Sequence, residues 1–411
     1  MKNNKTKAAM LKRLLDISAA VANFKDLDIL LEKILSQARE IANADAGSIY
    51  IKEKNMLHFR VTQNDTLSKL LPPGKKLQYS YFSMEIDNST ISGYAANTGE
   101  ILNIKDVYKI DKNAPYNFGK KYDEKTNYRT KSMLTIPLKT NIGQIAGVLQ
   151  IINAKNASNK LIPFSKSLIP VMEYFANSAT ISIERAQMTR EIILRMIKMA
   201  ELRDPKETGA HVNRVGSYAV EIYEKWALKN KIDVLDIERN RDILRIAAML
   251  HDVGKVGISD IILKKNAKFT PEEYDEMKKH TILGANLFGE MNSEVDVAAS
   301  QIALNHHERW DGKGYPGYVD TFTGKPVEGR LLEDGRPAEK KEREIPLFAR
   351  IVSIADVFDA LASPRIYKEA WTEDEVLKAI KNGAGTQFDP ELVDCFFETY
   401  DTIKSIKNRY E

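Results

Sequence analysis

Apolar residues recur at three- and four-residue intervals at Leu27, Leu30, Ile34 and Ala38, which predicts helices over about residues 10–42. Short β-like runs follow at 46–51, 57–61, 101–104, 132–138 and 147–153, the last two separated by Thr140-Asn141-Ile142-Gly143, a hairpin-like turn. Helices flanking an antiparallel sheet make an α+β module. From about 170 to 202 the pattern is one long helix with no Gly or Pro beyond its first turn. Along it Ala179, Ile183, Ala186, Ile193, Ile197 and Ala200 recur at near-heptad spacing, which suits a homodimer paired through parallel helices, the alternative being a helix that packs on its own second domain; Arg190 interrupts the seam. Three apolar runs follow, at 243–250, 297–304 and 351–361. The chain is expected to divide into a sensor-like domain (1–170), a connecting helix (171–202) and a second domain (203–411).

Composition agrees with two domains, since 411 residues exceed one ordinary core. Apolar residues at 43% and charged residues at 29% are globular proportions. A net charge of +4 gives no reason to expect duplex nucleic-acid binding. The single cysteine, Cys395, excludes a disulfide framework within the chain and a multi-thiolate metal site, as suits a reducing cytosol. Residues 1–13 are basic but lack the apolar stretch of a signal peptide, and no later segment reaches bilayer-spanning length. A cytoplasmic protein without a membrane partner is expected.

The candidate chemistry is concentrated in the second half. Of six histidines, all but His58 lie between His211 and His307. His251-Asp252 ends one apolar helical run and His306-His307 follows another. Adjacent side chains on a helix diverge, so each pair is expected to divide between neighbouring ions. Glu207 and His211 are spaced i, i+4 and would share a face if that segment is helical. His280 opens a further helical stretch, and Asp356 is the first acid of an apolar run, where a carboxylate needs a cation or hydrogen bonds. His58, in a strand-like segment, reads as an ordinary structural histidine. An all-nitrogen and oxygen donor set suits iron, manganese or zinc in a catalytic cluster better than a structural zinc. Two close cations lower the pKa of a water between them and neutralise charge growing on phosphoryl oxygens.

The first module resembles a GAF domain on Ala46-Gly47-Ser48-Ile49-Tyr50, on residues 123–134, and on Gly147-Val148-Leu149-Gln150. That resemblance implies a small-molecule ligand or a dimer contact, and control of a neighbouring enzyme. Residues 117–124 look like the motif of cyclic-nucleotide-binding members, with the spacing from Phe118 to Asp123 off by one. Residues from about 190 to 405 resemble the HD-GYP family of HD phosphohydrolases. The matching segments include Glu207-Thr208-Gly209-Ala210-His211, His251-Asp252-Val253-Gly254-Lys255, residues 306–316, residues 345–351, residues 355–361 and Arg365-Ile366-Tyr367-Lys368.

The HD-GYP resemblance implies an all-α, metal-dependent phosphodiesterase domain. It would hydrolyse cyclic di-GMP to linear pGpG or GMP by way of a metal-bridging hydroxide, using two or three divalent ions, iron or else manganese. Asp252 would bridge two metals, with His211, His251 and Asp356 on one side and His280, His306 and His307 on the other. Glu207 would add a third. Lys255 would contact phosphate and assist the leaving oxygen. Gly314, Tyr315 and Pro316 would present the substrate loop, and Arg365 and Lys368 would grip a phosphate. Two alternatives stay open: a receptor that binds the dinucleotide without turnover, and a phosphodiesterase acting on another cyclic dinucleotide such as cyclic GMP-AMP. Residues 318–344 interrupt the family's short connection to the Ile-Pro-Leu element, and stand as a lid, a specificity element or surface decoration.

Overall fold

The structure, a computed structural model, describes residues 23–72, 82–201, 209–265, 267–363 and 371–409. It divides into two compact units, residues 1–190 and 191–411.

In the first unit seven strands form an antiparallel sheet: β1 (Ala44–Glu53), β2 (Met56–Asn64), β3 (Ser83–Glu85), β4 (Leu102–Ile104), β5 (Met133–Lys139), β6 (Ile145–Lys155) and β7 (Leu161–Ile162). The order is β3-β2-β1-β6-β5-β4, with β7 on β6. The inner strands are covered on both faces and therefore read as apolar runs as much as alternations. Ile49 and Ile51 of β1, Leu134, Ile136 and Leu138 of β5, and Leu149 and Ile151 of β6 point to one face. There they meet the helix α1 (Leu27–Ala42) and the first part of a long helix of 33 residues (Ile169–Glu201). Tyr50, Met133 and Val148 point to the other face, under a short helix, Ile91–Thr98. The strands β3 and β7 were not among the β-like runs read from the sequence: β3, Ser83-Met84-Glu85, has one apolar residue between two polar ones, and β7 is two residues long.

Along the long helix, much of the near-heptad row is covered within the chain. Ala179, Ile183 and Ala186 are buried in the first unit's core. Within the second unit Ile197 packs with Val212 and Met249, and Ile193 lies against them. The near-heptad row is thus largely the helix's intramolecular face, and burying it within the protomer satisfies the apolar period without a second chain. The exposed apolar residues on this helix are others, among them Ile181, Met188 and Met199. Arg190, which breaks the row, pairs with Asp28 at 3.2 Å.

Asp123, the acid of the nucleotide-like motif, is buried and fully occupied by its own domain. It accepts from the Thr130 amide at 2.8 Å, the Thr130 hydroxyl at 2.7 Å and the Tyr108 hydroxyl at 2.9 Å. His58 is partly exposed on β2, 3.7 Å from Glu53.

The second unit is helical: α2 (Gly209–Lys229), α3 (Val234–Met249), α4 (Pro271–Lys278), α5 (His280–Asn286), α6 (Glu294–Asn305), α7 (Leu347–Ala362), α8 (Glu373–Asn382), α9 (Pro390–Glu398) and α10 (Tyr400–Arg409), with shorter turns between. Its core joins Tyr218 and Ile222 of α2, Leu244 and Ala247 of α3, Ile302 of α6, and Ile351 and Phe358 of α7, with Phe396 behind them. Among the described residues no helix is long and apolar enough to cross a membrane.

Asp123→Ala leaves the two buried Thr130 donors and the part-buried Tyr108 hydroxyl without their acceptor, and a buried donor left unsatisfied costs roughly 1–3 kcal/mol. It should lower the stability of the first unit by about 2–4 kcal/mol in urea unfolding; wild-type stability would contradict the structural role given to this carboxylate.

Candidate metal centre

The candidate ligands sit where helices of the second unit begin, end or present one polar side chain to the core. α3 ends at Met249, and the chain turns through His251 and Asp252 into a short 3-10 turn, Val253–Gly257. Gly254 allows that turn to approach α5 closely, since a Cβ there would lie 2.0 Å from the His280 carbonyl oxygen. A side chain at 254 would push Asp252 away from His280. α6 ends at Asn305, so His306 and His307 lie on the turn that follows. His211 is in the first turn of α2, and Asp356 and Asp359 are on α7.

Two groups of side chains result. Asp252, His280, His306 and His307 each offer an atom within 4.8 Å of the others; so do His211, His251 and Asp356. Asp252 faces both groups: its Oδ1 is 3.2 Å from Nε2 of His280 and 3.5 Å from Nε2 of His306, while Oδ2 is 3.5 Å from Nε2 of His251. Asp356 Oδ1 is 3.6 Å from Nε2 of His211 and 3.8 Å from Nε2 of His251. The rings of His251 and His306 are 5.2 Å apart, so the groups adjoin.

His251 and Asp252 fall in different groups, whereas His306 and His307 share one. The helix rule does not apply to them, because α6 has ended and the backbone has turned.

The second ring nitrogens settle which atom each imidazole presents. Nδ1 of His251 lies 2.8 Å from the Ala248 carbonyl, Nδ1 of His280 lies 2.7 Å from that of Met277, and Nδ1 of His306 lies 3.0 Å from that of Ala303. A carbonyl only accepts, so each Nδ1 carries the proton and each Nε2 presents a lone pair, the arrangement of metal-binding histidines. His211 is oriented by a carboxylate instead, with Nδ1 2.8 Å from Asp359. Asp359 is in turn held by the Arg214 guanidinium at 2.6 and 2.8 Å. Burial pushes the Asp359 carboxyl up, but Arg214 and His211 together hold it below its ordinary value. Neither Asp359 nor Arg214 was expected from the sequence. The usable signal was a second acid three residues after Asp356 on an apolar helix.

The electrostatics fit cations. Burial drives the pKa of His306 down and that of His307 well down, keeping both neutral and able to donate. Burial alone would raise the Asp252 pKa, yet Lys255 and His251 beside it hold the carboxyl well below the usual carboxylate range. Oδ1 of Asp252 and Nε2 of His280 and His306 are buried with no hydrogen-bond partner among the described residues. Such atoms are costly unless something meets them, and a divalent ion meets all three. The residues present therefore fit a metal pair.

Lys255 reaches Asp252 at 2.6 Å from the edge of the cluster. Tyr315 stacks on His307 at 4.9 Å and 28°, and Tyr274 lies edge-on to it at 6.3 Å. Gly314 packs against the backbone of Glu308 and Arg309, where a Cβ would lie 2.3 Å from the Arg309 nitrogen. Its first duty is to let the loop of 308–317 fold tightly; Pro316 follows on the same loop. Glu207, Arg365 and Lys368 lie outside the described residues.

Comparison with known proteins agrees with this division. The family model described as HD domain matches residues 208–361, and the one described as GAF domain matches residues 26–183. The chain carries a GAF domain in its first unit and a helical HD domain in its second. It is similar to a cyclic di-GMP phosphodiesterase of Vibrio cholerae, 32% identical over 273 residues, which are 64% of this chain and 51% of that protein. A cyclic di-GMP phosphodiesterase of Thermotoga maritima is 36% identical over 219 residues, 53% of this chain and 51% of that one. A 3'3'-cGAMP-specific phosphodiesterase of Vibrio cholerae is 33% identical over 225 residues, 55% of this chain and 37% of that protein. The chain thus spans about half or less of the length of these curated relatives.

Partners that orient a metal-binding histidine typically contribute 10–100-fold to metal affinity. Asp359→Asn should weaken uptake of Mn(II) by stripped protein by roughly that factor in equilibrium dialysis. An unchanged affinity would mean that His211 needs no carboxylate to hold it.

Proposed function

We propose that this chain is a cyclic-dinucleotide phosphodiesterase of the HD-GYP type, with cyclic di-GMP as its substrate and linear pGpG or GMP as its product. The observation that carries the proposal is the set of oriented imidazoles converging on Asp252 and Asp356 beside an aromatic loop. Three of them are tied back by carbonyls and one by a carboxylate. The sulfur-free donor set favours iron, with manganese as the alternative. Two ions fit the two groups, and Glu207 is proposed as a ligand for a third.

Divalent ions bound here would supply a nucleophile at neutral pH and neutralise charge developing on the phosphoryl oxygens. The remaining work falls to side chains. Asp252 is shared between the groups and fixes their separation. Lys255 is close enough to place its ammonium on a phosphate oxygen and to steady the departing ribose oxygen. Tyr315, held against His307, gives a nucleobase a flat wall at the mouth of the centre. Gly314 and Pro316 shape that loop, and Arg365 and Lys368 are proposed to hold the substrate's second phosphate. The GAF domain is proposed to regulate turnover through a small-molecule ligand, and a second copy of the chain would pair through the exposed side of the long helix.

Two relatives named for cyclic di-GMP and one named for 3'3'-cGAMP support the substrate class and leave a second reading, cyclic GMP-AMP, as a competitor in the same assay. Metal-loaded protein incubated with each dinucleotide should linearise cyclic di-GMP the faster, and Asp252→Ala should abolish this. Tight binding with no linear product would make the chain a receptor. Base–aromatic stacking is worth about 1–3 kcal/mol, so Tyr315→Ala should raise KM on the order of 10-fold while leaving metal content unchanged. Metal loss in that variant would assign the loop a structural role instead.

A further inference from the structure

Residues 318–344 are fastened along their length. The Tyr318 amide donates to Ala338 at 2.9 Å, Val327 to Tyr318 at 3.0 Å and Ala338 to Arg330 at 2.7 Å. Bridges join Val319 to Pro326 and Leu331 to Pro337. Asp320 closes the first turn by accepting from the Thr323 amide and hydroxyl at 2.8 and 2.7 Å. The Glu342 amide then returns to the Trp310 carbonyl at 3.0 Å. The first turn also reaches α5, where the Phe322 ring lies directly over Gly289, just past the helix.

The feature that neither a lid nor surface decoration accounts for is Lys340. It is 9% exposed, and its ammonium donates to Oδ1 of Asn305 at 2.6 Å while lying over the Tyr318 ring. Placing an ammonium there is costly unless it meets partners. Asn305 is the last residue of α6, immediately before His306, and its own amide donates to the Gln301 carbonyl at 2.8 Å. On the far side of the doublet, buried Glu308 accepts from the Gly317 amide at 2.6 Å. The residue directly before His306-His307 is therefore held by a buried cation of the insertion, and the residue directly after it by the insertion-side loop at Gly317.

We infer that the insertion is a fixed clamp and that Lys340 is its positioning residue, holding the end of α6 so that His306 and His307 keep their place beside Asp252. The inference rests on the metal-centre reading and extends it to one of the two ligand groups. A precisely held ligand shell needs a rigid support around it.

The test uses the full chain, stripped of metal and titrated with Mn(II) by calorimetry, with hydrogen exchange of the unloaded protein as an independent readout. Lys340→Met keeps the stem and removes the ammonium. It should weaken one of two binding steps about 10-fold or more, the scale of lost outer-shell support, and leave the other step unchanged. Exchange at the Tyr315 and Gly317 amides should quicken. Asn305→Ala should behave alike, whereas Asn305→Asp, which keeps an acceptor for Lys340, should retain both steps. Wild-type affinity and exchange in Lys340→Met and Asn305→Ala would overturn the clamp, as would equal weakening of both steps. A wild-type protein that takes up no Mn(II) would instead overturn the metal reading beneath it.

Discussion

The second unit is organised around a buried carboxylate, Asp252. It carries its charge and faces three imidazole Nε2 atoms at 3.2 to 3.5 Å. A buried charge of this kind is tolerated only with close partners, and one lysine at 2.6 Å leaves its second oxygen without a hydrogen bond among the described residues. The rest of the site follows from that constraint. Imidazoles aimed by their backs at carbonyls surround the carboxylate with lone pairs, which repel it unless cations lie between.

Helix ends supply the precision. His251, His306 and His307 stand just past helices whose last carbonyls hold the first two rings, and His280 opens a helix while bonded to the carbonyl of Met277. A helix end is useful for this purpose because its final carbonyls have no partner within the helix. The same backbone groups that would otherwise need capping fix the tautomers. At His211 a carboxylate takes this part, Asp359 backed by Arg214.

Much of this was legible in the chain. The α+β module announced itself because its long strands carry enough residues to show a pattern, and the ligands because imidazoles and acids at the ends of apolar runs have few other purposes. The partners of those ligands were hidden for a physical reason. Asp359, Arg214 and Lys340 act through contacts between residues 35 to 148 positions apart, which no local period encodes. The near-heptad row on the long helix was ambiguous for the opposite reason: an apolar face looks the same whether a second chain or the protomer's own core covers it. The insertion looked like solvated surface because its charge is abundant, and the one buried lysine is indistinguishable in sequence from its exposed neighbours.

The account stands on two cations sharing Asp252. Crystals of protein purified and grown with Mn(II), measured at the manganese edge, should give two anomalous peaks about 3.5–4 Å apart, one beside His280 and His306 and the other beside His211 and His251. An absence of peaks at full Mn(II) occupancy elsewhere, or peaks outside the histidine cluster, would contradict it.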